Sequence, residues 1–188
     1  YVGGICGQKM PIPMMNILNG GAHASNNIDV QEFMILPVGA KNFKEGLCWC
    51  AEVYESLKKI LKKNKLSTGV GDEGGFTPNL ENEEQALDVI IEAIRKAGYE
   101  PKKDIALALD IASTEMYVAA SEWKGQQDGE YVMPKKKKTV STDQLIEMWN
   151  NIVNEYPIFS IEDPLDEEDW KGWKKITEKM GNKVRLVG

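Results

Sequence analysis

The sequence has few residues of the types on which zinc sites and nucleic-acid-binding surfaces depend. It contains one histidine and three cysteines in 188 residues. Cys48 and Cys50 are separated by a single residue, which does not match the ligand spacing of a metal site. The formal net charge of -6 argues against a duplex nucleic-acid binder, because such a protein needs a basic face to displace counterions from phosphates. We therefore expect small molecules, metals or other proteins as partners.

Long apolar runs, low-complexity tracts and internal repeats are also missing. No apolar run approaches the roughly 20 residues that span a bilayer, so the sequence predicts no membrane span. The length fits one domain. Because the chain begins with Tyr1 rather than methionine, we expect a soluble piece of a longer protein. We also expect Cys6, Cys48 and Cys50 to be reduced core thiols of a cytosolic protein.

Apolar residues recur at helical spacing in four segments. The first is an amphipathic helix at residues 43–63, whose apolar face comprises Leu47, Ala51, Tyr54, Leu57 and Leu61. Three further helices are predicted where a capping pattern or a run of acidic residues precedes similar spacing, and they begin near Asn82, Ser141 and residues 166–169.

Short apolar runs between these helices predict buried strands, at residues 12–18, 31–37, 105–111, 158–161 and 184–187. The predicted order is β-β-α-α-β-α-β-α-β. An ordinary (β/α)8 barrel does not begin with two strands and two helices. The order therefore indicates either an irregular barrel or a doubly wound sheet with a hairpin at its start.

A run of four lysines occupies residues 135–138. Turn residues precede it, among them Gly125, Gly129 and Pro134, and no aromatic stacking platform accompanies it. We expect a solvated loop rather than a nucleic-acid-binding or targeting signal.

Two carboxylates stand where predicted strands end. Asp110 ends one apolar strand, and Glu162 ends another just before an Asp-Pro turn. Carboxylate oxygens from two strands suit Mg²⁺ better than zinc. The residues alone leave two alternatives open: Asp110 caps the next segment through Ser113 and Thr114, or both acids merely belong to surface loops.

A glycine turn of sequence GDEGG lies at residues 71–75. Residues 69–74 match G-x-G-x-x-G, but Asp72 and Glu73 would place negative charge where a pyrophosphate binds, and a helix precedes the segment, so we exclude a dinucleotide site. Glycines on both sides can hold a carboxylate in a constrained loop. Glu73 is a candidate general acid if burial or neighbouring anions raise its pKa, and a plain surface turn is the alternative.

Two further polar residues are candidates for a site. His23 is the single histidine and lies in a glycine-rich loop, so both a structural and a functional role remain open. Glu32 places a charge inside an otherwise apolar strand. Such a charge must be paired or must face a polar cavity.

Four motifs, in this order, resemble the enolase family: QEFMI at 31–35, GDEGGFTP at 71–78, LDIAS at 109–113 and SIEDP at 160–164. The similarity covers essentially the whole chain. It implies a partial (β/α)8 TIM barrel with a ββαα start, truncated after about five strands. Residues 1–188 would then be part of the enolase C-terminal barrel domain, without the N-terminal domain and the last barrel strands.

The resemblance implies a Mg²⁺-dependent lyase of glycolysis that dehydrates 2-phosphoglycerate to phosphoenolpyruvate. Glu73 matches the acid that helps the hydroxyl leave, and Glu32 matches its acidic partner. His23 matches a mobile-loop histidine near the substrate phosphate, so that His23, Glu32 and Glu162 would border the substrate. Asp110 and Glu162 match two of the three carboxylate ligands of the metal.

The resemblance also implies a cytoplasmic homodimer, with Glu52 similar to a dimer-contact position. The family pattern continues past Gly188 with the third ligand and a lysine base, so we expect the isolated chain to be inactive. Ser25 stands where glycine is more usual in the histidine loop. Two alternatives remain: a noncatalytic segment that binds partners, for instance through the lysine run, and another acid-dehydrating member of the superfamily, although those members lack the motif at 71–78.

Overall fold

A computed structural model describes residues 4–7, 9–116 and 130–188. Within them, the strands are β1 (Met15–Asn19), β2 (Glu32–Leu36), β3 (Ala106–Asp110), β4 (Glu130–Met133), β5 (Lys138–Ser141), β6 (Ile158–Glu162) and β7 (Arg185–Val187). The long helices are α1 (Phe43–Lys63), α2 (Glu83–Lys96), α3 (Thr142–Glu155) and α4 (Trp170–Met180).

Five of the strands form one sheet in the order β1-β2-β3-β6-β7. Strand β2 pairs antiparallel with both β1 and β3, whereas β3, β6 and β7 run parallel to one another. The predicted ββαα start is therefore confirmed. In the described part of the chain the sheet remains open, as expected for a partial barrel.

The long helices cover one face of this sheet. Phe33 and Leu109 belong to a core that also contains buried side chains of all four helices. Met34 and Ala108, their neighbours along the strands, belong to a separate small cluster. Because side chains alternate between the two faces of a strand, the small cluster lies on the opposite face. Helices on one face are typical of a barrel wall, whereas a doubly wound sheet carries helices on both faces.

Side-chain caps determine where the helices begin. The predicted capping box of Ser141 and Gln144 is confirmed at α3, with both reciprocal bonds present. At α2 the box is half formed: Asn82 accepts a bond from the Gln85 N–H, but the Gln85 side chain accepts from the Glu81 N–H instead of that of Asn82. Within the described residues, every helix is too short or too polar to serve as a membrane span.

The bounds of α1 agree with the predicted 43–63, but its buried face differs from the prediction. Leu47 is 48% exposed and Ala51 is also exposed, so neither belongs to the core. Helix α1 packs against both β2 and α2. The position of these neighbours therefore decides which residues are covered, and the large side chains buried on α1 are Cys50, Val53, Leu57, Ile60 and Leu61.

The cysteines do not share one environment. Cys50 is buried, as predicted, but Cys48 is exposed, so the prediction of a core thiol is wrong for Cys48. Cys48 lies on the solvent side of α1, where its sulfur contacts the Glu52 carboxylate at 3.7 Å. The Cys6 side chain lies outside the described part of the structure.

The sequence did not predict the hairpin formed by β4 and β5. Lys138 belongs to β5, where it pairs with Met133 of β4, so it is not part of a loop, although its side chain is exposed. Lys135 and Lys136 are half-buried and bonded to other elements, so the prediction of a solvated loop is wrong for them. Gly125 and Gly129, on which that prediction partly rested, lie outside the described residues. Two strands of four residues give too short an alternation to be distinguished from a loop by pattern alone.

The carboxylate of Asp169 joins three elements behind the sheet. Its Oδ1 accepts a bond from the Gly172 N–H at 2.9 Å, which caps α4. Its Oδ2 accepts bonds from the hydroxyls of Tyr131 in β4 at 2.9 Å and of Thr142 in α3 at 2.8 Å. Asp169 therefore connects the start of α4 to the hairpin and to the start of α3.

We expect Asp169→Ala to destabilise the chain by ~2–4 kcal/mol, because it removes a helix cap and a charged acceptor of two further bonds. The control is Ser141→Ala, which removes a cap alone and should cost ~1 kcal/mol. Equilibrium urea unfolding measures both. If Asp169→Ala lowered the free energy of unfolding no more than Ser141→Ala does, the conclusion that Asp169 connects the three elements would be contradicted.

Candidate functional site

Three carboxylates form a row at one edge of the sheet. Glu32 at the start of β2 pairs in register with Asp110 at the end of β3. Asp110 in turn pairs with Glu162 at the end of β6. Residues paired in register on neighbouring strands project to the same face, so the three acids share one face. This acid row (Glu32, Asp110 and Glu162) lies at the carboxyl ends of the parallel strands, where barrel enzymes place their sites.

Backbone bonds continue past the strand ends and keep the acid row in register. The Gln31 N–H donates to the Asp110 carbonyl at 3.1 Å, and the Ile111 N–H donates to the Glu162 carbonyl at 3.0 Å. Directly afterwards the chain turns through positive φ, at Ala112 (51°) and Asp163 (45°). Non-glycine residues in this region are strained, and such residues are concentrated at functional sites.

Asp110 serves its own turn and also faces the site. Its Oδ1 accepts a bond from the Ala112 N–H at 3.0 Å, and its Oδ2 has a long contact of 3.5 Å with the Gln31 amide. Of the two alternatives, the cap through Ser113 and Thr114 is not recorded among the described residues, where Asp110 instead closes its own turn at Ala112. One carboxylate oxygen is therefore only weakly engaged by the protein.

A second group contains His23, Glu32 and Glu73. His23 Nδ1 lies 3.6 Å from Glu32 Oε1 and 3.6 Å from Glu73 Oε2. The Glu32 side chain is 14% exposed, whereas that of Glu73 is 48% exposed. Glu32 thus belongs both to the acid row and to this group, while Glu73 lies at its open side.

The glycine turn that carries Glu73 is fastened to β1. The Asn19 N–H donates to the Phe76 carbonyl at 2.8 Å, and the Phe76 N–H donates to the Ile17 carbonyl at 3.0 Å. A Cβ at Gly75 would lie 2.1 Å from the side-chain oxygen of Asn19, so only glycine allows this approach. The structure shows a constrained turn at Gly75, as predicted, but the Glu73 side chain is exposed, and its role as a general acid remains a prediction.

Electrostatic strain is concentrated in the acid row. Burial raises the pKa of Glu32 to about 8, and a hydrogen bond with Glu73 and the charges of Glu73, Asp110 and Glu162 act in the same direction. Burial and the charge of Glu162 raise the pKa of Asp110 to about 6, against the lowering effect of the Ala112 N–H. Burial and the neighbouring negative charges therefore both disfavour the ionised forms of Glu32 and Asp110.

The donor atoms of the acid row fit a hard divalent cation. Asp110 and Glu162 offer carboxylate oxygens on adjacent parallel strands, and Mg²⁺ prefers one or two carboxylates completed by water or substrate oxygens. Ligand atoms of His23, Glu32 and Glu73 also lie within 4.8 Å of one another. Glu32 thus adjoins acids on two sides, Glu73 in this group and Asp110 in the acid row.

Sequence reasoning missed the two asparagines of β1. The side-chain atoms of Asn16 and Asn19 are buried without hydrogen-bond partners among the described residues, and both amides adjoin Gly75. Asparagine is unfavourable inside a strand, so two of them in β1 were a signal available in the sequence. Glu52, the predicted dimer-contact residue, lies on the exposed side of α1, where its carboxylate accepts a bond from the Tyr99 hydroxyl.

Comparison with protein families identifies a match over nearly the whole chain. Residues 7–188 match the family model described as "Enolase, C-terminal TIM barrel domain". The matched region contains every strand and long helix of the described structure, together with the acid row, His23 and Glu73.

Glu32→Gln should change how stability depends on pH in the metal-free chain. The pKa of Glu32 is raised from 4.5 to about 8 in the folded state, so its favourable contribution is complete below pH 4.5 and is lost as the pH rises through 8. We expect the variant to match the unsubstituted chain at pH 4 and to be more stable at pH 9 by ~1–3 kcal/mol, since the partly open site screens some of the full linkage value.

Urea unfolding in the presence of a chelator measures this difference. The control is Glu55→Gln, which removes an exposed carboxylate on α1 and should leave the pH dependence unchanged. If the free energy of unfolding changed with pH in the same way in Glu32→Gln and in the unsubstituted chain, the electrostatic description of the acid row would be contradicted.

Proposed function

This chain belongs to the family of the enolase C-terminal TIM barrel, and from that premise we propose that it supplies the metal-ligating and acid groups for dehydration of 2-phosphoglycerate to phosphoenolpyruvate. The observation that carries the proposal is the register that places Glu32, Asp110 and Glu162 side by side, with Glu73 and His23 adjoining Glu32. Enolase-superfamily sites use a lysine or histidine base with one or two Mg²⁺ ions, which is a property of the superfamily and not a reading of this chain.

The acid row provides the electrostatic part of the reaction. Asp110 and Glu162 would hold the metal, because their oxygens lie on adjacent strands and Asp110 Oδ2 has only a long contact with Gln31. When bound, Mg²⁺ supplies positive charge that stabilises the negative charge created by removing a proton next to a carboxylate. Glu162 also borders the substrate in this arrangement.

The group around His23 provides the proton for the leaving hydroxyl. Glu73 is the more exposed of the two glutamates and lies at the open side of the site, so it can reach a substrate hydroxyl. Glu32 is the less exposed of the two, and burial together with the neighbouring Glu73 raises its pKa to about 8, so we propose that Glu32 is the protonated partner of Glu73. His23 Nδ1 lies 3.6 Å from both carboxylates, and we assign His23 to the substrate phosphate because the resemblance to the family implies a histidine there.

The overall reaction balances as loss of water. A base removes the proton on the carbon next to the carboxylate, a C=C bond forms, and the neighbouring C–O bond breaks as the hydroxyl leaves with the proton from Glu73. Among the described residues, no lysine is recorded in contact with the acid row or with Glu73. We therefore assign no base among the described residues.

Glu73→Gln in the complete polypeptide should lower kcat by ~100-fold to 10,000-fold, the range typical of a lost general acid. The matched control is Asp72→Asn, which removes the neighbouring exposed carboxylate of the same turn and should leave kcat within about twofold, since the described structure records no contact between Asp72 and His23 or Glu32. Formation of phosphoenolpyruvate at saturating Mg²⁺ gives both values. Equal losses in the two variants would show that the turn is merely a charged surface loop.

The purified 188-residue chain should form no measurable phosphoenolpyruvate under conditions in which the complete polypeptide is active. The reason is that the described strands form an open sheet, which leaves one side of the acid row without a wall. Formation of phosphoenolpyruvate by the isolated chain would contradict this expectation. Homodimer formation through the α1 surface near Glu52 and a cytoplasmic location remain predictions.

A further inference from the structure

The four lysines of residues 135–138 have two different environments. Lys135 and Lys136 are half-buried, whereas Lys137 and Lys138 are exposed. The described structure records no hydrogen bond or ion pair from the side chains of Lys137 and Lys138. The first two lysines therefore require an explanation that a solvated charge run does not provide.

Lys135 binds the loop that carries His23 through two separate groups. Its ammonium donates to the carbonyl of Ala24 at 2.9 Å, directly after His23 in the chain. Its backbone N–H donates to Asp29 Oδ1 at 2.9 Å, at the far end of the same loop. These two bonds, formed by one residue of the hairpin turn, span the loop from residue 24 to residue 29.

Lys136 acts on the same loop through a buried acid. Its ammonium pairs with the carboxylate of Glu83, a residue that is 2% exposed at the first turn of α2. The other oxygen of Glu83 accepts the Asp29 N–H at 3.2 Å. A buried carboxylate needs a counter-charge, so Lys136 keeps Glu83 in the position from which it binds the loop.

The other side of the loop is held by asparagines. The Asn26 amide donates to the carbonyls of Asn19 and Pro78, both at 2.9 Å, and Asn27 accepts the Leu80 N–H at 3.0 Å. The bonds to Pro78 and Leu80 fasten the loop to the segment that leads from the glycine turn into α2, and the bond to Asn19 fastens it to the end of β1. The loop is therefore held on this side and, on the other, by the lysine turn.

We propose that Lys135 and Lys136 are positioning residues that hold the loop of residues 20–29 so that the His23 imidazole stays between Glu32 and Glu73. The importance of this geometry for catalysis rests on the proposed function, but the positioning itself does not. The competing interpretation is that the whole lysine run is a docking surface for an acidic partner, in which case all four lysines would be equivalent.

The single histidine makes the test direct, because its ring gives one imidazole signal in an NMR spectrum of the chain. We compare Lys135→Met and Lys136→Met with Lys137→Met and Lys138→Met, which make the same change of charge and keep the apolar stem. Lys136→Arg is the conservative variant that retains the ion pair with Glu83. The observables are the His23 ring shift and the amide hydrogen exchange of residues 20–29.

Lys135→Met and Lys136→Met should move the His23 signal and speed amide exchange in the loop about tenfold or more. Lys137→Met and Lys138→Met should leave both observables unchanged. Lys136→Arg should resemble the unsubstituted chain. The same response in all four Met variants, or no response in the first two, would overturn the proposal. If Lys135→Met or Lys136→Met does not fold, the comparison of the other variant with Lys137→Met and Lys138→Met still tests the proposal, since Lys135 and Lys136 hold the loop by separate bonds.

Activity of the complete polypeptide then tests the connection to function. Lys135→Met and Lys136→Met should lower kcat/KM for 2-phosphoglycerate at least tenfold relative to Lys137→Met. If the complete polypeptide does not turn over this substrate at all, the proposed function fails while the NMR comparison still decides the positioning role. If turnover is normal and the loop signals change without loss of kcat/KM, the loop is held by the lysines but its position does not matter for the reaction.

Discussion

The register of three neighbouring strands forces the carboxylates of Glu32, Asp110 and Glu162 onto one face of the sheet. The surrounding structure depends on how the repulsion among these three carboxylates is relieved. Like charges held a few ångströms apart must gain a proton or a cation. At the Glu32 end, burial and then the neighbouring Glu73, Asp110 and Glu162 raise the pKa to about 8, so the Glu32 carboxyl favours its protonated form. We propose that a cation neutralises the Asp110 and Glu162 end of the row.

The loops around the row maintain this division. The glycine turn brings Glu73 to Glu32 from one side, fastened to β1 by backbone bonds and by the close approach at Gly75. The loop that carries His23 approaches from the other side and is held by Asn26, Asn27 and the lysine turn. Residues from distant parts of the sequence therefore meet at one edge because the open sheet provides a common support.

Much of the fold followed from local patterns in the sequence. The capping box of Ser141, the bounds of α1 and the strands ending at Asp110 and Glu162 depend on neighbouring residues only, and each was predictable. The buried side of α1 and the exposure of Cys48 were not, because they depend on where β2 and α2 pack. The hairpin was missed since its strands are short and its lysines look like those of a solvated turn.

The site shows the same division between local and long-range information. The residue types and the order of the motifs pointed to its members, but no local pattern could show that Glu32 and Asp110 are register partners 78 positions apart, because that pairing is set by the sheet. The roles of Lys135 and Lys136 depend on contacts with residues more than 50 positions away. Interactions of this kind are read from the structure alone.

The most direct test of the account uses Mn²⁺ in place of Mg²⁺, added in small amounts to the isotopically labelled chain while its amide signals are recorded. Paramagnetic broadening reports the metal position even when binding is weak, so it does not require a complete ligand set. The account predicts that the signals of Asp110, Ile111, Glu162 and Asp163 broaden first, while those of Glu55 and its neighbours on α1 do not. Broadening that is uniform over the acidic surface, or centred away from Asp110 and Glu162, would contradict it.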